Sequence, residues 1–183
     1  MSRFGTFSFA VVVVGLIQGC GSLVPEPSHP NKADIEAAER LFGHRLSSDG
    51  EVDWTNEEVQ NEVRFLLRSY AQYANDHRGD SLTSVYMMKR ADLLHGRGDH
   101  EAAIAQWLDV VEGFPKEDIA AEAIFRMGFV RETAMQDTVG ALKAYAELVR
   151  LFPESPWTAQ AEMSAQWLTF SEEKFIEALS EGR

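Results

Sequence analysis

The chain has a single cysteine, Cys20, in 183 residues. One thiol excludes an intramolecular disulfide and any metal site built on several cysteines, so packing alone must hold the fold together. Basic residues are also scarce, 17 Lys and Arg against 29 Asp and Glu, for a net charge of -12. Without a Lys/Arg cluster the chain lacks the electrostatic footprint that holds nucleic acid or adheres to anionic lipid by charge. Only six prolines occur, and three of them (Pro25, Pro27, Pro30) fall between Gly21 and Lys32. That Ser/Pro-rich stretch resists helix and strand alike and reads as a tether. Beyond it, Ala, Glu, Leu and Met recur at helical spacing and no window alternates like a strand. An almost wholly helical domain follows.

No second long apolar run follows the one at the amino terminus. There, Arg3 precedes the apolar segment Phe4 to Ile17, with Val11 to Val14 at its centre and small Gly19 after it. This is the layout of a secretory signal, and it falls short of the roughly 20 residues that cross a bilayer as a helix. Ile17-Gln18-Gly19-Cys20 resembles a bacterial lipobox. The resemblance implies that the Cys20 sulfur is diacylated, the preceding peptide bond cut and the new amino terminus acylated. Several acyl chains, each contributing about 0.8 kcal/mol per buried methylene, would anchor the protein permanently. Gly21, in place of the aspartate that favours inner-membrane retention in such lipoproteins, points to the outer membrane. The expected organisation is a signal peptide over 1–19, a lipidated cysteine and tether over 20–32, and a helical domain over 33–183. The mature chain of about 164 residues is long enough for one domain with its own core.

The helical part repeats. Tyr70 with His77, Trp107 with Phe114 and Tyr145 with Phe152 are aromatic-led pairs, each seven residues apart, and they recur after 37 and 38 residues. Each stands before a break, at Arg78-Gly79-Asp80, Pro115-Lys116-Glu117 or Pro153-Glu154-Ser155-Pro156. A first full unit runs from a helix over Ser84 to Leu94, through Gly96-Arg97-Gly98-Asp99, to a helix over His100 to Glu112. Ala91, Ala103, Trp107 and Pro115 stand where a tetratricopeptide repeat places small, small, large and proline residues. Two antiparallel helices approach closely only where small residues occupy the crossing, and a bulky one fills the gap to the next repeat. Gly128, Ala141, Tyr145 and Pro153 repeat the pattern, with a turn near Gln136-Asp137 one residue longer. The excess over the usual period of ~34 falls in the loops after each break, which separates the pattern from the longer HEAT and armadillo helices.

A third unit is expected to have a first helix over Thr158 to Phe170 and a short, charged second helix over Ser171 to Leu179 as a cap. At the other end, Ala33 to Leu46 and Asn56 to Asp76 read as the two helices of a degenerate first repeat. Thr55 with Glu58 would form the capping box of the second. The fold class is therefore all-α: a short α-solenoid of about three tetratricopeptide-like repeats, with a degenerate first repeat and a C-terminal capping helix.

Leu151-Phe152-Pro153-Glu154-Ser155-Pro156-Trp157, followed by Ala159 and Ala161, resembles a junction in a group of envelope proteins. The group comprises the BamD-like tetratricopeptide lipoproteins of the outer-membrane β-barrel assembly machinery and the repeat domain of the Tol-Pal-associated periplasmic protein. The similarity covers Asn56 to Phe170, with about three repeats here against five in the barrel-assembly lipoproteins and Arg78-Gly79 in place of the first Phe-Pro. It implies an outer-membrane lipoprotein on the periplasmic side.

Catalytic chemistry finds no support in the motifs. His29, His44, His77, His95 and His100 lack partners three or four residues away, and His100-Glu101 lacks the second histidine of a zinc-protease motif. Gly96-Arg97-Gly98-Asp99 lacks the lysine and hydroxyl of a phosphate loop and reads as a helix-ending turn. Its Arg-Gly-Asp, and that at Arg78 to Asp80, fall at helix ends where glycine and polar residues are expected anyway. Asp49, Glu51 and Asp53 lack the later ligands of a calcium loop. No nucleophile has a recognisable base motif. The reading is therefore no enzyme, no catalytic residue, no metal, no cofactor and no small-molecule substrate.

What remains is a surface. In a tetratricopeptide stack the first helix of each repeat lines a concave groove. The shared frame assigns Val85, Met88, Asp92 and His95 to it from the first unit. Glu122, Phe125, Phe129 and Glu132 come from the second, and Gln160, Met163, Trp167 and Phe170 from the third. Met and aromatics flanked by acids would suit an apolar partner segment carrying basic residues, although these aromatics could equally fill gaps between helices. The expected function is a protein-interaction scaffold in envelope assembly, foremost β-barrel protein assembly. Tol-Pal and cell-wall coordination, or a pilotin-like role with secretin or pilus components, are the alternatives, and a non-catalytic subunit of a periplasmic enzyme follows.

Overall fold

The computed structural model describes residues 30–49 and 52–181. The expected signal segment, Cys20, nearly all of the tether and Glu51 of the acidic loop lie outside them. Among the described residues there are seven helices and no strand: α1 Lys32–Asp49, α2 Glu57–Asp76, α3 Leu82–Gly96, α4 His100–Gly113, α5 Asp118–Thr133, α6 Thr138–Leu151 and α7 Pro156–Glu181. Each helix packs on its neighbour in sequence, which makes a short helical-repeat solenoid.

The repeat is written into the backbone at the helix ends. His77, Phe114 and Phe152 cap α2, α4 and α6 with nearly equal φ/ψ, (-126°, 46°), (-132°, 49°) and (-132°, 58°). Each cap N–H bonds the carbonyl four residues back, and each cap carbonyl then accepts from the residue three ahead: Asp80 N at 2.9 Å, Glu117 N at 3.0 Å and Ser155 N at 3.0 Å. Thr83 and Thr158 Oγ1 close the same turn onto the His77 and Phe152 carbonyls, at 2.5 and 2.6 Å. The aromatic pairs seven residues apart thus mark one local structure used three times. His77 serves at the first break as the phenylalanines do at the others, because a cap at this φ/ψ needs no proline after it.

Three apolar clusters run along the stack. Ile35, Val63, Leu66, Tyr70 and Tyr86 fill the first, between α1, α2 and α3. Ala91, Ala103, Trp107 and Val110 fill the second, and Ala141, Tyr145, Leu148 and Ala161 the third. Ala91 with Ala103 lets α3 and α4 approach, and Trp107, 1% exposed, occupies the space above them. In the next unit Gly128 and Ala141 do the same below Tyr145. The turn between α5 and α6 (134–137) is one residue longer than that between α3 and α4 (97–99), and Gln136 adopts a φ of 54° there.

Two expectations are corrected. The third unit has no second helix: α7 runs unbroken for 26 residues, from Pro156 to Glu181, where a break after Phe170 was expected. Phe170-Ser171-Glu172 offers neither glycine nor proline, so nothing opposes propagation of the helix through it. The cap of α2 is Asn56, whose Oδ1 accepts from Glu58 N at 2.9 Å and Val59 N at 3.3 Å. Thr55 instead turns to Asp53, donating from its backbone N and its Oγ1. Asparagine is as strong an N-cap as threonine or stronger, and it stands one residue closer to the helix.

Candidate interaction surface

The first helices of successive pairs approach one another closely along the backbone, α3 with α5 and α5 with α7, whereas among the described residues the α4 and α6 backbones do not. The row α3, α5, α7 is therefore the tighter, inner side of the curved stack. All twelve candidate groove residues stand on these helices, and they divide into a packed group and an open group.

The packed group centres on Arg126 of α5. Its Nη1 donates to Asp92 Oδ1 of α3 at 3.0 Å, its Nη2 to Glu122 Oε1 at 2.6 Å and its Nε to the same oxygen at 3.1 Å. The three side chains are each about a third exposed, so the ion pairs contribute under ~1 kcal/mol and serve more to join α3 to α5. Burial pushes the Asp92 carboxyl above the usual carboxylate range; Arg126 opposes this, Glu122 adds to it, and Trp107 favours the ionised form although its Nε1 reaches no hydrogen-bond geometry. Glu132 accepts from the Tyr145 hydroxyl at 2.7 Å, and burial together with that carboxylate raises the tyrosine pKa. Met88, 5% exposed, belongs to the second core cluster, and Val85 is half-buried. His95 is half-buried, with Nδ1 at 3.1 Å from Nδ1 of His100.

The open group lies on α5 and α7. Phe125 is half-buried, with its ring 5.1 Å from Trp157, 5.9 Å from Tyr145 and 6.3 Å from Phe129. Phe129 then emerges to 45% exposure, and Met163, Trp167 and Phe170 stand 65%, 66% and 53% exposed on α7, beside exposed Gln160. Trp167 and Phe170 pack together at 6.4 Å, with Lys174 Nζ 5.7 Å above the Phe170 ring. The opposite side of α7, with Trp157, Ala161, Ala165 and Leu168, packs on the third cluster. One helix thus carries two apolar stripes, one used by the fold and one left open.

Compared with protein-family models and with curated proteins, the chain matches none.

Residue spacing missed three participants. Arg126 stands four residues after Glu122, a helical pairing visible in the sequence, but its second partner is 34 residues away and is supplied by the fold. Trp157 reads as part of the junction, yet it also backs Phe125. The third is His100, which meets His95 five residues away because the α3–α4 turn reverses the chain between them. Among the described residues no three His, Cys, Asp or Glu side chains gather to hold a metal ion, and no helix is long and apolar enough to cross a membrane.

Proposed function

We propose that the protein is a lipid-anchored interaction scaffold of the bacterial envelope, with α3, α5 and α7 forming the binding face. The observation that carries this reading is the open stripe of Phe129, Met163, Trp167 and Phe170. Met163, Trp167 and Phe170 share one face of α7 and Phe129 is exposed on the neighbouring α5, and large apolar side chains left open in this way on the inner row are the mark of an interaction patch. They border a charge cluster, Asp92, Glu122 and Arg126, with one more acid than base, on a chain of net charge -12. The partner that fits is an apolar segment bearing basic residues. The lipobox-like Ile17 to Cys20 supplies the anchor in this reading, and the resemblance of the Leu151 to Trp157 junction selects β-barrel assembly as the leading pathway.

Affinity purification from detergent-solubilised envelope tests it. Barrel-assembly components recovered with the wild-type chain, and lost with a folded Trp167→Ala/Phe129→Ala double variant, support the reading. Tol-Pal or secretin components recovered with the same dependence redirect it to those pathways. Partner recovery that the double variant leaves unchanged removes the binding face.

A further inference from the structure

The inner row of helices has one gap. α3 packs on α5 and α5 on α7, but α1 packs on α2 without touching α3 along the backbone. Between α1 and α3 lies a cavity of about 340 Å³, lined by Phe42, Gly43, Trp54, Leu66, Tyr70 and Leu93, with Glu39, Lys89 and Asp92 at the polar end. Gly43 keeps one wall clear: a Cβ placed there meets nothing within 4 Å. On the facing helix, Gly96 lies beside the Trp54 ring, which a Cβ there would meet at an ordinary contact distance of 3.6 Å.

Every charge at the cavity is already engaged. Lys89 Nζ donates to both Glu39 oxygens, at 2.8 and 2.9 Å, and the Tyr70 hydroxyl donates to Glu39 Oε1 at 2.9 Å. Asp92 is held by Arg126. With the polar groups already partnered at one end and the rest of the lining largely apolar, the interior suits an uncharged apolar group. A second copy of this chain is disfavoured because two molecules of charge -12 repel. Asp92 lines the cavity and also joins the partly exposed Arg126 cluster, in which two carboxylates share one guanidinium, and that excess of negative charge favours a cation beside the occupant.

We propose that this cavity is an anchor pocket. It takes one leucine or phenylalanine side chain of a partner polypeptide, with lysine or arginine flanking that residue. The inference rests on the scaffold reading and adds a second contact point on the inner face, separate from the α7 stripe.

The test uses the full chain in detergent and a fluorescent, lysine-flanked host peptide with a single guest position, read by anisotropy. Leucine or phenylalanine guests should bind at least tenfold more tightly than an alanine guest. Gly43→Phe, which fills the cavity from its open wall, should erase that preference, and Gly43→Ala should keep it, both folded by circular dichroism. No guest preference in the wild type, or a wild-type preference in folded Gly43→Phe, overturns the pocket. Equal binding of a glutamate-flanked host overturns the flanking charge. Self-association that Gly43→Phe abolishes in sedimentation would assign the cavity to a second copy instead. Loss of partner recovery in the Trp167→Ala/Phe129→Ala variant is read separately, so the scaffold can stand while the pocket falls.

Discussion

Gly128 shows how one atom decides a helix crossing. A Cβ at this position would lie 2.5 Å from Cε1 and 2.8 Å from Cδ1 of Tyr145, a ring that is fully buried and held by Glu132. The ring cannot swing aside without opening the third cluster. Gly128→Ala should therefore destabilise the protein by about 1–2 kcal/mol, overpacking outweighing the helix propensity gained. A lower urea midpoint at unchanged slope is the expected record. His95 sets a second property at this scale. Burial lowers its pKa below the ordinary 6.5, and His100 and Arg126 push the same way. A lowered histidine pKa means that the folded state disfavours the charged ring, so this contribution to stability is present above pH 6.5 and is lost as pH falls through the lower folded value. Asp92, with its pKa raised by burial, has the opposite sign and gains stability as pH falls through the carboxylate range. Melting temperature followed from pH 7.5 to 5.5 should fall in the wild type, and less in His95→Gln. Equal slopes would remove the assignment.

Elements obey local rules where a good local rule exists. Asn56 satisfies two of the free N–H groups of α2, and Asn56→Ala should cost about 1 kcal/mol, read by urea denaturation. Thr55→Ala should cost less, since its side chain only supports the Asp53 turn. The helices and their breaks were legible because apolar period and punctuation are local: α4 starts at His100 and ends within a residue of the expected Glu112. The expected break in α7 was not, because it was argued from the need for a cap rather than from any residue that stops a helix. Nor was the split of the groove residues. Met88 and Met163 look alike in sequence, yet Met88 is 5% exposed and Met163 is 65% exposed. Which stripe of a helix is covered depends on the neighbour laid against it, and that neighbour is chosen by the stack.

For the whole molecule, binding should depend on salt. An acidic chain that recruits a basic segment should lose affinity between low and physiological ionic strength, with most of the loss in association rate. Affinity unchanged across that range would remove charge from the recognition. Cys20→Ser should leave the helical domain folded and release the protein from the membrane fraction or leave it unprocessed; a mature, membrane-bound variant would remove the lipid anchor.

The sequence by itself determined the all-helical class, the 37- and 38-residue repeat and the three cap turns, because period, small residues at crossings and breaks act over one or two turns of chain. It also contains Ile17-Gln18-Gly19-Cys20, the linear motif on which the proposed lipid anchor rests. Tertiary structure alone decided that Arg126 joins Asp92 to Glu122, that His95 meets His100, that α7 keeps one apolar stripe open, and that α1 stands away from α3 over a cavity. Each of these depends on the relative placement of helices: most of the facing residues are far apart in the chain, and even His95 and His100, five residues apart, meet only because a turn lays one helix against the next.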